Sequence, residues 1–543
     1  MMKKLYAKLM TAALAVVILT GCGQKAGYMS ALPGQSVVVA KVNVGNLLDE
    51  SEVLSDNQVK GALKEIINET QGETRTLLRE ITQDPRTCGI DIDNPVYIAV
   101  ENIENVRGLV LMAVADEDKL KSSFATLTND NDINSMGWTL TTNGDVNTVE
   151  DYDGNAIIAF DDEKLVVAFA NGIADAMEYM TLSDADQEKC KELEDFINED
   201  ADAAVYADYS QLMTLASRAS REFDNLDLSM FENAKYIATL NFEKGEAKLG
   251  WKFLGNEQFE ETYNKMFGAP SNDLLGFLPQ GTWALAQVGV KNLACVEDFV
   301  QGQLSRELNR MFERANAEFE ERGINAKIGF NLLNSIEGDV VFAVTPVVDN
   351  GGRQEPQIIF MAECANQNLF NTFINIYQVE NEKLEKVGNN LYSLGFNKKV
   401  DWDNYNWDGN YTYIRKGYDY LLGYADGKMF LMPENLYDKC KSGSGLKELS
   451  SNIKNNAAVY DMIKGNNAGV LDITALVKEI SKEDARDARE IAKAIDKLES
   501  LYLEIKSANE AELVLKTSDK ETETLKQLKD ICVKQVVRMN SRY

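Results

Sequence analysis

The same succession of segments runs twice along this chain, and that repetition restricts the possible folds more than any other feature. Ala31-Leu32-Pro33-Gly34 leads into an apolar, β-rich stretch over 36–44, and Phe277-Leu278-Pro279-Gln280 leads into another over 282–290. Each passes through an Asn-Leu step, Asn46-Leu47 and Asn292-Leu293, into a long helix expected over 57–81 and 296–322. In the second helix Val296, Phe299, Val300, Leu304, Leu308, Met311, Phe312, Ala315 and Phe319 form an apolar face at three- and four-residue steps. Further pairs follow in order. PVYIAV at 95–100 matches DVVFAV at 339–344, 109–113 matches 358–362, and Leu120 and Phe124 match Leu369 and Phe373. A hairpin at 157–160 turning at Asp161-Asp162 matches one at 421–424 turning at Asp426-Gly427, and Asp208 matches Asp472. Strand pairs over 236–251 and 502–515 close the two halves. The offset grows from 246 residues at Pro33 and Pro279 to 264 at Asp208 and Asp472, as local insertions require.

Six matches in one order point to an internal duplication. Neighbouring strands joined by turns such as Asn143-Gly144, Asp408-Gly409 and Asp426-Gly427 imply hairpins, hence antiparallel pairing. The expected fold class is α+β, with two tandem domains, each a mainly antiparallel sheet with helices packed on one face. The domains are expected at 31–268 and 269–543, joined near 267–273. With 8 prolines and no long Ser/Gly tract, the chain offers no extended linker.

The N-terminus carries an address. Lys3, Lys4 and Lys8 precede an apolar run over 9–19, relieved only by Thr11, and Leu19-Thr20-Gly21-Cys22 ends it. That run is short for a bilayer span and suits a signal peptide over 1–21. Its last four residues resemble the bacterial lipobox, which implies lipid attachment at Cys22 followed by a lipidated spacer over 22–30. Gly23 follows the cysteine, and no acid occurs between Cys22 and Asp49. These features favour an outer-membrane lipoprotein on the periplasmic leaflet over display at the cell surface. Together, the lipobox, spacer, Leu-Pro step and repeated Val-rich strand running into an Asn-Leu helix resemble the bacterial lipoprotein family described as domain of unknown function 4836. The resemblance implies an envelope lipoprotein and brings no catalytic residues with it.

Composition excludes several chemistries. Histidine is absent, which removes Ser-His-Asp and Cys-His catalysis, HExxH zinc sites and histidine pH switches. The net charge is −30 over 543 residues and becomes −33 once the leader is gone, so the surface repels phosphate backbones and nucleic acid is not a partner. Hydrophobic residues at 45% are enough to build real cores. Cys88, Cys190, Cys295, Cys364, Cys440 and Cys532 form no CxxC and do not correspond between the halves, so mostly buried free thiols with at most one bridge are expected. Phosphate-loop, dinucleotide-binding and GxSxG patterns are missing, and Ser451 and Lys454 satisfy SxxK in the wrong order relative to Ser55-Asp56-Asn57.

One segment stands out. Over 400–420 the second half carries an insertion in which aromatic residues alternate with acids and amides. Trp402, Tyr405, Trp407, Asp408 and Tyr411 are the candidate ligand-binding residues, suited to stacking on and hydrogen-bonding a sugar or peptide. A twisted hairpin with cross-strand aromatic pairs is the plainer expectation. A calcium loop fails because its twelfth position is Arg415 rather than a bidentate acid. No metal and no cofactor is implied. The expected function is a non-enzymatic binding or scaffolding lipoprotein that meets the membrane through its lipid and an envelope protein, peptide or glycan through its body. Glycan or peptide capture for an uptake system is the alternative, and a carboxylate-based hydrolase is third.

Overall fold

A computed structural model describes residues 27–540 apart from 69, 103–105, 130–136, 171–174, 213–232, 300–301, 349–353, 381–383, 396–397, 401–412, 416–418, 482–488, 491 and 494. The fold is α+β and divides into two compact units. Among the described residues, unit 1 comprises 27–255 and 519–540, and unit 2 comprises 256–518.

Unit 1 is built on strands β1 (Val38–Val42), β2 (Val96–Asn102), β3 (Arg107–Ala113), β4 (Thr139–Asn143), β5 (Val146–Glu150), β6 (Ala156–Phe160), β7 (Lys164–Phe169), β8 (Ala203–Asp208), β9 (Lys235–Glu243) and β10 (Glu246–Leu254). They pair antiparallel in the spatial order β4-β5-β6-β7-β3-β2-β1-β8-β9-β10. The helices are α1 (Val44–Ser51), α2 (Asn57–Asn68), α3 (Gly72–Gln83), α4 (Glu117–Asn129), α5 (Ala176–Met180) and α6 (Lys191–Asn198), together with the C-terminal helix (Thr524–Asn540).

Consecutive residues of the central strands are apolar, so each face of the sheet must find its own cover. On one face Val39, Leu109, Leu111, Val166 and Tyr206 pack beneath Leu32, Tyr179 of α5, and Leu193 and Phe196 of α6. On the other, Met112, Phe160 and Leu165 pack beneath Val44 of α1, Ile81 of α3 and Leu120 of α4. Phe124 of α4 stacks on Phe160 with ring centres 5.4 Å apart.

Unit 2 carries β11 (Ala284–Val290), β12 (Ile336–Val348), β13 (Gln354–Cys364), β14 (Glu385–Gly388), β15 (Leu391–Ser393), β16 (Tyr420–Ala425), β17 (Lys428–Pro433), β18 (Asn467–Asp472), β19 (Leu498–Ile505) and β20 (Glu510–Thr517). Their antiparallel order is β14-β15-β16-β17-β13-β12-β11-β18-β19-β20, the order of unit 1 strand for strand. The helices are α7 (Glu257–Met266), α8 (Gly302–Glu321), α9 (Asn368–Glu380), α10 (Glu434–Cys440), α11 (Ala457–Ile463) and α12 (Ile473–Ile480). The β16–β17 turn places Asp426 and Gly427 at φ 51° and 73°, the paired positive values that a tight hairpin needs. Again both faces are covered. Leu285, Val341, Ile359, Met361 and Phe430 meet Leu274, Leu278, Leu436 of α10 and Ile463 of α11, while Leu422 and Met429 meet Phe370 and Ile374 of α9.

Four expectations change. Helices lie on both faces of each sheet rather than one, because the strands are apolar at successive positions and not alternate ones. The helix expected over 57–81 is two, α2 and α3, and the chain turns where the Thr70 hydroxyl donates to Ile67 O at 2.7 Å and Arg75 Nε donates to Thr70 O at 2.7 Å. Over 296–322 the described residues are helical at Val296–Phe299 and in α8, with 300–301 outside the described residues.

The units also divide at Gly255 and Asn256, not at 268 and 269. Asn256 caps α7 by accepting from Phe259 N at 3.2 Å. Met266 O accepts Lys291 N at 2.8 Å, and Phe267–Gly268 pairs with the end of β11. These bonds make α7 part of unit 2, while the C-terminal helix belongs to unit 1, where it packs on α1 and β9. Finally, the six cysteines are free thiols, but only Cys88 and Cys440 are buried, and Cys190 and Cys532 are exposed. Burial pushes the Cys440 thiol up to about 11.

Candidate functional site

Cys22, Trp402, Tyr405, Trp407, Asp408 and Tyr411 lie outside the described residues. The strands on either side of the aromatic segment, Lys398–Val400 and Tyr413–Arg415, pair antiparallel with Val400 opposite Tyr413. Ser451 and Lys454 do not act together: Ser451 Oγ donates to Gln280 at 2.9 Å and Lys454 Nζ to Glu448 at 2.9 Å.

The described residues form a different site, a cleft of about 810 Å³ within unit 2. One wall is α8, through Glu313, Asn316, Ala317 and Glu320. The other is α9, through Asn368, Asn371, Thr372 and Asn375. In both helices these positions follow the three-, four- and seven-residue spacing that stacks side chains on one face. The connecting chain, with Ile324, Asn325, Ala326, Lys327, Asn331 and Leu332, completes the lining.

Hydrophobic residues on other faces fix the two helices. Phe370 and Ile374 bury α9 against the sheet, and Phe312 of α8 meets Phe330 edge-on with ring centres 5.2 Å apart. At the end of α8 the chain folds back, with Ile324 N donating to Phe319 O at 2.7 Å. Asn316 then clamps the returning loop, because its Nδ2 donates to Ile328 O at 2.8 Å and its Oδ1 accepts Ile328 N at 2.7 Å. From the facing wall, Asn375 Nδ2 donates to Asn325 O at 2.6 Å. Two of the asparagines are therefore structural. The side chains of Asn331, Asn368 and Asn371 have no hydrogen-bond partner among the described residues, and all three are exposed.

Each side-chain amide offers two donors and an acceptor in fixed relation, which suits peptide groups or sugar hydroxyls. Among the described residues no aromatic ring lines the cleft. Glu313 and Glu320 stand on one wall, seven residues and therefore about 10 Å apart along the helix axis. They are not the pair facing each other across a scissile bond that glycoside hydrolysis needs. Among the described residues no cluster of three or more Cys, Asp or Glu is arranged to hold a metal ion, and no helix is long and apolar enough to cross a membrane. Sequence reasoning missed the cleft because asparagines at helical spacing carry no motif. The signal available was the repeat of Asn368, Asn371 and Asn375 on a helix whose opposite face is apolar.

No curated protein sequence matches the chain. Among solved structures, crystal form I of TP0453 shares 13% identity over 43% of this chain and 81% of its own, with a TM-score of 0.25. Crystal form III of TP0453 shares 12% over 45% and 89%, with a TM-score of 0.23. Likeness at that level carries no argument. A family model described as a domain of unknown function matches residues 28–522, from the first described turn to the start of the C-terminal helix, and the chain belongs to that family, DUF4836.

Proposed function

We propose that this protein is a lipid-anchored component of the bacterial envelope that holds extended peptide segments in the cleft between α8 and α9 and performs no chemistry on them. The observation that carries the reading is the row of unengaged amides, Asn331, Asn368 and Asn371, between two helices already pinned in place. Peptide is favoured over glycan because sugar sites rely on an aromatic platform that this lining lacks. Glu313 and Glu320 against Lys327 leave the lining acidic by one charge, which favours peptides bearing lysine or arginine. The lipobox at 19–22 supports attachment through Cys22, Gly23 supports the outer membrane, and the lack of an acid between Cys22 and Asp49 supports its periplasmic leaflet.

Two measurements test this reading. In the first, the full chain is titrated by fluorescence anisotropy with labelled random hexapeptides, basic and acidic pools in parallel, and with a set of labelled oligosaccharides. Basic peptides are expected to bind, and N368A/N371A is expected to weaken them roughly tenfold, since each neutral hydrogen bond contributes about 0.5–1.5 kcal/mol. Sugars binding in place of peptides, or peptides indifferent to the double substitution, would sink the assignment. In the second, mass spectrometry of protein extracted from native envelopes is expected to find a chain beginning at Cys22 and carrying acyl groups. An unmodified Met1 would remove the anchor from the proposal.

A further inference from the structure

The seat of the C-terminal helix on unit 1 is crowded with acids. Glu50 lies on α1, and its carboxyl interacts with those of Asp202 just before β8, Glu523 at the start of the C-terminal helix, and Asp49 beside it. Its Oε2 is buried and has no hydrogen-bond partner. The surrounding groups are occupied elsewhere. Asp202 accepts Phe242 N at 2.7 Å and Asn46 Nδ2 at 3.5 Å. Lys526 and Lys529 of the C-terminal helix pair with Glu52 and Asp56 at 2.7 and 3.5 Å. Lys244, between β9 and β10, reaches Glu523 only at 3.9 Å, and Arg86 lies 3.7 Å from Asp49. Glu243 of β9 adds its negative field at Asp202. Among the described residues no cation is directed at Glu50 itself.

We infer that Glu50 is a proton-operated latch, which holds the C-terminal helix on unit 1 when protonated and loosens it when ionised. A neutral carboxyl there adds no charge. An ionised one adds a partly buried negative charge to three others, and the lysines that might answer it are committed to Glu52 and Asp56. Burial, followed by the fields of Asp202, Glu523 and Asp49, pushes Glu50 from 4.5 up to about 7. Because the value is raised in the seated state, the stabilisation is complete below the ordinary carboxyl range. It is lost progressively as pH rises toward 7 and changes no further above that.

The test is amide hydrogen exchange of peptides spanning 524–540 in the full chain, from pH 5 to pH 8, corrected for intrinsic exchange. One linked proton allows at most about a tenfold change per pH unit, and solvent screening at a partly exposed group reduces it. Opening of the wild-type helix is therefore expected to increase roughly three- to tenfold per unit between pH 5 and 7 and then level off. E50Q should stay protected and flat, and E523Q should level off at a lower pH because it removes one repelling charge. A flat wild-type profile, an E50Q profile with the wild-type slope, or E50Q opening at every pH would each overturn the latch. Exchange in strands β1 to β3 identifies any variant that has lost unit 1 altogether, and E523Q then decides the matter.

Discussion

Replacing Phe430 with alanine is expected to cost unit 2 roughly 3–5 kcal/mol, the range for deleting a large aromatic side chain from a closed core. Phe430 is 1% exposed and stacks on Tyr437 of α10 with ring centres 5.6 Å apart and planes 16° from parallel. Its ring also occupies the space over Gly423 on the neighbouring strand, where a Cβ would lie 2.2 Å from the ring edge. The cavity left by F430A is bounded by a strand backbone and a helix already anchored by Leu436 and Cys440, so it cannot collapse easily. Urea denaturation of the full chain, followed by hydrogen exchange within β11 to β13, would report the loss. A cost under about 1 kcal/mol would mean that this core is far more loosely filled than its burial implies. Domains are typically stable by only about 5–15 kcal/mol, so the variant should lose a large share of unit 2's stability.

The second large effect is expected in unit 1 from G89A. Gly89 has φ 93°, and its carbonyl accepts both Ala115 N at 2.9 Å and Asp116 N at 3.0 Å, drawing the start of α4 onto the turn at Pro85–Cys88. A Cβ at this position would meet Asp116 O and Leu120 N at 2.5 Å each. Neither obstacle is a flexible side chain; both are backbone. The left-handed conformation alone costs a non-glycine residue roughly 1–2 kcal/mol, and forcing an atom into a packed site adds roughly 1–3 kcal/mol. A summed loss of about 2–5 kcal/mol should appear as a lower melting temperature for unit 1, with faster exchange in α4 preceding that of β1. An unchanged melting curve would show that the turn yields more readily than its bonds suggest.

Much of the architecture was legible because its causes are local. Hairpins announce themselves through Asp-Gly and Asn-Gly turns, and Asp472 marks a helix start because its carboxylate accepts Ala475 N at 2.9 Å. The apolar runs around Val39 and Leu285 became central strands in equivalent places of their sheets. What escaped notice depends on long-range contacts. Nothing in Lys526 or Lys529 says that their partners are Glu52 and Asp56, more than 400 residues earlier. Nor does a run such as Val340-Val341-Phe342-Ala343 say that each side of the strand receives its own cover. The cleft was illegible for a related reason: Asn316 and Asn375 hold a loop, Asn368 and Asn371 do not, and the sequence makes no such distinction. The aromatic segment attracted attention through composition alone, which is a weak guide to geometry.

The helix that completes unit 1 has a consequence for biosynthesis. A ribosome delivers the chain from its first residue, so the sheet of unit 1 emerges long before residues 519–540 exist. At about 5–20 residues per second, roughly 260 residues of delay amount to some 13–50 seconds during which the flank of α1 has no partner. The N-terminal body is thus finished last, and a premature stop codon near the end of the gene should harm the part of the protein made first.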